Sequence, residues 1–200
     1  MQGSRRSIEW GTYTEDSEEY RGISYIDMPP WIKAIAKSLQ TQKIFSELAP
    51  VNTARLNYYV PGQGIPPHVD GDIYVPRVAM ISLSSSALFR FFDVDGNKLG
   101  LTEHELHVKL TNAAATGSME TESILGIPRM SLVLRPRSLV VFEGEAAKKF
   151  AHSVAASKIE TIDPKRVGQI GNLELANAKI GEKIKRVPRT TITLRHILHT

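Results

Sequence analysis

Short runs of alternating or β-branched apolar residues dominate the middle and end of the chain. They predict strands over Ala54–Val60, Arg77–Leu83, Ala87–Phe92, Ser131–Leu134, Ser138–Phe142 and Thr190–Ile197. Turn residues punctuate them, with Pro61-Gly62 after the first and Asp95-Gly96 after the third. One segment has helical spacing instead. Behind Pro29-Pro30, residues Trp31, Ile32, Ile35, Leu39 and Ile44 fall on one face, and proline suits a first helical turn. Many short strands and one amphipathic helix predict a mainly β fold, a sandwich or barrel of jelly-roll type with the helix laid on a sheet.

Three stretches break this rhythm. Residues 1–28 are polar, with Trp10, Tyr13, Tyr20 and Tyr25 scattered among charges, and read as a lid or loop. Residues 93–130 are mixed and polar, an insertion between strands. Residues 156–187 form a second insertion with seven basic residues (Lys158, Lys165, Arg166, Lys179, Lys183, Lys185, Arg186) against four acids. Two readings fit that excess, a solvated basic loop or a contact with nucleic acid.

A chain of 200 residues supports one core, so 1–200 reads as a single domain without internal repeats. The absence of cysteine excludes disulfides and thiolate metal sites. No apolar run matches a bilayer span, and Met1–Arg6 leads into no apolar segment. The expectation is therefore an intracellular protein of nucleus or cytoplasm with no membrane partner. A net charge of +4 and a pI near 9.3 admit a nucleic-acid partner without requiring one.

The chemistry concentrates at the end of Leu56–Asp70. His68 and Asp70 stand two apart, so an extended backbone turns both to one face. They supply two of the three ligands in the two-histidine, one-carboxylate arrangement of non-haem Fe(II) oxygenases. In a chain with six histidines the fragment alone is weak. His152, which follows a strand and a glycine turn among apolar neighbours, is the best third ligand. By itself an inward histidine is more often a hydrogen-bonded core residue than a ligand, and only His68 and Asp70 shift that reading. Arg189 and Arg195, six residues apart, share one face of the last strand. Either an anion meets them or the strand is a solvated edge. Asp93-Val94-Asp95-Gly96-Asn97 echoes a calcium loop, but Lys98 and His104 occupy the positions of its glycine and its closing acid, so a hairpin turn fits better. His104 and His107 lack the spacing of a helical zinc pair and read as surface; His196 and His199 read as structural or exposed. Trp10, Tyr13 and Trp31 either pack or stack on a base.

Taken in order, Asn57-x-Tyr59, Pro61-Gly62, His68-x-Asp70, His152 and Arg189-x5-Arg195 resemble the AlkB family of Fe(II)/2-oxoglutarate dioxygenases. Arg5-Arg6 before Trp10, the Pro29-Pro30-Trp31 helix start, Leu56–Asp70, Pro76–Leu83 and Leu134–Val141 are most similar to its sixth-homologue branch in higher eukaryotes. The resemblance implies a double-stranded β-helix (jelly-roll, cupin-like) with one or two supporting helices. It implies Fe(II) held by His68, Asp70 and His152, with 2-oxoglutarate and O2 as cosubstrates. Arg189 and Tyr59 are expected at the distal carboxylate, Asn57 and Arg195 at the carboxylate near the metal, and Asp72, Trp10 and Tyr13 at the substrate. Thr191 stands between the arginines where many relatives have Asn, which alters one cosubstrate hydrogen bond. Ser84 replaces the glycine usual after Ile-Ser-Leu. The chain begins near Arg5-Arg6, where relatives carry a further segment that braces the sheet and shapes a substrate lid. The implied activity is oxidative demethylation or hydroxylation of alkylated DNA or RNA by a monomer. The alternatives are the same chemistry on a protein or small molecule, or a weakly active binding module.

Overall fold

In the computed structural model, residues 5–11, 26–94, 101–116, 118 and 120–198 are described. Tyr13, Tyr20, Tyr25, Asp95-Gly96, Lys98 and His199 lie outside them. In chain order the strands are β1 (Arg6–Gly11), β2 (Thr53–Tyr59), β3 (Ile65–His68), β4 (Arg77–Ser82), β5 (Ala87–Asp93), β6 (Met130–Leu134), β7 (Ser138–Glu143), β8 (Phe150–Val154), β9 (Ile159–Thr161), β10 (Gln169–Ile170), β11 (Lys183–Lys185) and β12 (Arg189–Arg195). The helices are α1 (Pro30–Thr41), α2 (Glu103–Thr116) and α3 (Glu120–Leu125), with single turns α4 (Glu145–Lys148) and α5 (Pro164–Val167).

The larger sheet runs β1-β2-β12-β4-β7 and the smaller β10-β6-β5-β8-β3. From β2 onward the chain passes back and forth between the two sheets, which is the winding of a double-stranded β-helix. Alternation decides what each face meets. Val78, Met80, Phe89, Phe91, Val140 and Phe142 point between the sheets and fill the sandwich. Ala54, Ala79, Ile192 and Leu194 point outward and are covered by Ile32 and Leu39 of α1. The helix ends at Thr41, yet Ile44 in the turn that follows packs on the same cluster.

The start of the chain is a strand rather than a loop over residues 6–11. β1 lies antiparallel on β2 from Arg6↔Tyr58 to Gly11↔Thr53. Its alternation is short and carried by charged residues, so it left no apolar period. The stretch 93–130 supplies two helices, α2 and α3, beyond the supporting helices expected. Leu106 and Leu110 of α2 cover Phe92 and Ala151 on the outer face of the smaller sheet.

The 156–187 segment is not a solvated loop. Ile162, Val167 and Ile184 are buried against Leu88 and Val133. In the β9–β11 ribbon, Ile184 and Glu160 face inward while Lys183 and Lys185 face solvent. Arg186 is also buried, with its guanidinium 2.8 Å from Glu160. Glu160 reaches Arg90 of β5 at 3.2 Å, and Arg90 also pairs with Glu122 of α3. These four charges fasten both insertions to the smaller sheet. A basic count cannot reveal that one of its members is internally neutralised.

Candidate metal and cosubstrate site

The site begins with the docking of β3 onto β8. Gly64 leads into β3 so close to the neighbouring backbone that a Cβ there would lie 2.2 Å from the Val154 carbonyl oxygen. Only glycine permits that approach. It sets His68 directly opposite His152, with ring centroids 4.3 Å apart. The carbonyl of Pro66 lies 2.9 Å from His68 Nδ1. A carbonyl can only accept, so Nδ1 carries the proton and Nε2 is left as the ligating atom. Asp70 follows two residues on, and one ligand atom each of His68, Asp70 and His152 all lie within 4.8 Å of one another. Among the described residues no other such group of three comes together.

His152 is buried against the rings of Phe89 and Phe142, at 5.5 and 5.1 Å. Asp70 receives two hydrogen bonds from Arg195, Nε to Oδ2 at 3.0 Å and Nη2 to Oδ1 at 2.8 Å. Arg195 in turn stacks 4.9 Å from the Tyr74 ring. Burial alone would raise the Asp70 carboxyl, but the Arg195 guanidinium beside it holds it below the usual carboxylate value. Burial lowers both imidazoles, His152 to about 3 with help from the neighbouring His68. An ionised carboxylate and two neutral imidazoles are the protonation states that a divalent cation requires.

This has a pH signature in metal-free protein. The unfolded chain takes up both imidazole protons near the ordinary value of 6.5, whereas the folded chain resists them. Below that pH the unfolded state binds more protons. Stability is therefore complete above 6.5 and falls as the pH drops, for His152 down towards 3 and by at most about 1.4 kcal/mol per unit, with His68 adding in the same direction. Melting of metal-stripped protein across this range should show the decline, and His152→Gln should flatten it. A parent curve level from neutral to acid pH would contradict this account.

The rest of the cavity is built by the inward faces of β2 and β12. Asn57 and Tyr59 come from β2, with Arg189, Thr193 and Arg195 from β12. Thr191 shares their strand face, opposite Asn57, and its buried Oγ1 has no partner. Arg189 is 1% exposed. It donates from Nη2 to Ser82 Oγ at 2.9 Å and lies 5.7 Å from the Tyr59 ring, while Nε and Nη1 make no hydrogen bond. Burial brings its pKa down to about 10, so it remains a cation. A buried guanidinium with two open donors beside Ile65, Val78 and Met80 calls for an anion. The donor set thus fits both parts of the expected chemistry: two imidazoles and a carboxylate for a divalent metal, and a fixed cation for a carboxylate ligand. Ser84 braces the start of β12, accepting from Thr190 N at 2.9 Å and donating to Pro188 O at 3.0 Å.

Not every expected residue joins this group. Asp72 is exposed just beyond Asp70. Trp10 lies on the opposite, helix-bearing face of the larger sheet, edge-on to Trp31 at 5.8 Å, so the packing alternative describes it. Tyr13 is outside the described residues. His104 is exposed, and His196 Nδ1 bonds the Pro50 carbonyl at 2.6 Å in a structural role. Sequence reasoning missed Ser82, Tyr74, Arg5 and the Arg55–Glu9 pair, of which Arg5 and Arg55 line the cavity. The alternation of Arg5, Ser7 and Glu9 was the available signal.

Comparison with known proteins bears on the same residues. The family model described as the 2OG-Fe(II) oxygenase superfamily matches residues 3–195. The chain is 23% identical over 193 residues to "Probable RNA/DNA demethylase ALKBH6" of Danio rerio, covering 96% of this chain and 71% of that protein. Among solved structures it is similar to OsALKBH1, with a TM-score of 0.52 and 15% identity, over 96% of this chain and 78% of that one. The chain belongs to the 2OG-Fe(II) oxygenase superfamily and is an oxygenase that uses Fe(II), 2-oxoglutarate and O2.

Proposed function

We propose that this oxygenase oxidatively demethylates an alkylated nucleic acid, working as a single-domain monomer inside the cell. His68, Asp70 and His152 are the metal ligands in this reading. The observation that carries it is the buried Arg189 guanidinium with two open donors, in the cavity lined also by His68 and His152. Arg189 and Tyr59 take the distal carboxylate of 2-oxoglutarate, and Asn57, Thr191 and Arg195 line the metal-proximal end. Iron with its cosubstrates supplies the oxidising equivalent that hydroxylates a substrate C–H bond, with succinate and CO2 as by-products. A hydroxylated N-methyl group then loses formaldehyde to give the free amine. Arg195 keeps Asp70 ionised and oriented, the apolar walls exclude water, and exposed Asp72 is placed to meet the substrate.

Nucleic acid as substrate is supported by the name of the zebrafish relative and by the basic balance of the chain. Lys183 and Lys185 on the outer face of the β9–β11 ribbon, with Lys158 beside it, offer phosphate contacts; buried Arg186 does not. Replacing the three lysines with alanine should weaken oligonucleotide binding and reduce its salt slope by roughly 0.7 to 0.9 for each phosphate no longer neutralised. Identical slopes for parent and variant would return the ribbon to a solvated surface. The central experiment is a panel of methylated DNA and RNA oligonucleotides with mass-spectrometric readout and parallel succinate detection. Succinate without demethylation of any oligonucleotide would favour a protein or small-molecule substrate. Metal and 2-oxoglutarate binding without succinate would favour a binding module.

A further inference from the structure

The cavity holds four guanidinium groups, and they are not equivalent. Arg55 pairs with Glu9, and Arg195 with Asp70. The other two, Arg189 and Arg5, have only neutral hydrogen-bond partners among the described residues. Arg189 meets the Ser82 hydroxyl, and Arg5 Nε donates to Asn57 Oδ1 at 3.2 Å. A dicarboxylate brings two negative charges, and two uncompensated cations await it.

Arg5 reaches the cavity because β1 continues the larger sheet. Arg6 opposes Tyr58, which points outward; Ser7 and Glu9 oppose inward-facing Asn57 and Arg55. Extending that alternation by one residue turns Arg5 inward. It lines the cavity with His68, His152 and Asn57. Its charge acts on His68, and Tyr59, Arg55 and Arg195 act on it in that order, while its hydrogen bond to Asn57 ties it to the residue expected at the metal-proximal carboxylate. Burial is the main cause that lowers its pKa, as for a cation moved from water without an acid beside it. The bond to Asn57 also settles which way that amide faces. A guanidinium can only donate, so Asn57 turns Oδ1 to Arg5 and keeps its NH2 as a donor for another acceptor.

We propose that Arg5 is a cosubstrate-binding residue that takes the metal-proximal carboxylate of 2-oxoglutarate, directly through its free Nη donors and indirectly by aiming the Asn57 amide. The inference rests on the reading of His68, Asp70 and His152 as the metal site. Arg195 then serves mainly to hold Asp70. Its bidentate bond to that carboxylate neutralises most of the charge it offers, and the uncompensated charge at that end comes from Arg5.

The test uses the full chain loaded with Mn(II) under anaerobic conditions and measures binding of 2-oxoglutarate, 2-oxobutyrate and a single-stranded oligonucleotide. The four-carbon keto acid lacks the distal carboxylate and reports on the metal-proximal end alone. Arg5→Gln should raise Kd for both keto acids about tenfold or more, as expected when one charge-assisted hydrogen bond is removed. Mn(II) affinity and Tm should stay at the parent values, and Arg5→Lys should recover part of the affinity. Equal keto-acid affinities for parent and Arg5→Gln overturn the proposal. So does a weakening confined to 2-oxoglutarate, which moves Arg5 to the distal carboxylate, or one confined to the oligonucleotide, which assigns it to a substrate phosphate. A parent that binds Mn(II) but neither keto acid overturns this proposal together with the cosubstrate reading beneath it, whereas failure of Arg5 alone leaves that reading intact.

Discussion

Asp70→Asn is expected to lower Fe(II) or Mn(II) affinity by at least a hundredfold, roughly 2.7 kcal/mol, and to abolish turnover. The amide preserves the volume of the side chain but removes the only anionic member of the triad. It also strands Arg195, whose two bonds to Asp70 hold a cation that is largely shielded from water. Two consequences therefore coincide: the metal loses a charged ligand, and a guanidinium loses its counter-charge a few ångströms away. His152→Ala should cost as much in metal affinity, because the remaining pair cannot hold a labile divalent ion. Isothermal titration with Mn(II) decides both. Parent-like affinity in either variant would remove that residue from the metal site.

The second large effect lies at the other end of the cavity. Arg189→Lys keeps the positive charge but replaces a planar fork with a point charge. A carboxylate held by Nε and Nη1 loses a charge-assisted bond worth about 1.5 to 3 kcal/mol, so 2-oxoglutarate affinity should fall roughly ten- to a hundredfold. The lysine also has no second nitrogen for Ser82 Oγ, which Arg189 now satisfies at 2.9 Å. Metal affinity should hardly change, because none of the three ligating side chains touches Arg189. Anaerobic titration of metal and cosubstrate separates the two. Tight 2-oxoglutarate binding by the lysine variant would show that Arg189 does not clamp the carboxylate.

The parts of this architecture legible in the sequence are those governed by a local rule. Two-residue alternation fixes that Arg189 and Arg195 share a face, and it fixes the same for His68 and Asp70. Regular apolar runs disclosed the central strands, and the proline-led amphipathic run disclosed α1. The missing parts depend on partners distant in sequence. β3 carries Pro66-Pro67 and no alternating apolar run, so it is not among the predicted strands. Among the described residues it is an edge strand paired only with β8, and an edge tolerates missing donors. β1 showed no apolar stripe because its inward face is polar, matched to a polar cavity. The buried state of Arg186 depends on Glu160, 26 residues earlier, and could not be read from the local excess of lysine and arginine. Trp10 illustrates the converse: its register opposite Ala54 sends it to the α1 face, and only strand pairing reveals that.

The same two prolines have a consequence for how this protein behaves in a crowd. Among the described residues β3 forms the outer boundary of the smaller sheet, and the backbone of such a boundary strand is a template on which another extended chain can grow. Pro66 and Pro67 have no N–H to offer, so an incoming strand finds half the ladder missing along the four residues of β3. The residues that lead into His68 therefore also leave an incoming strand fewer donors to pair with at this edge.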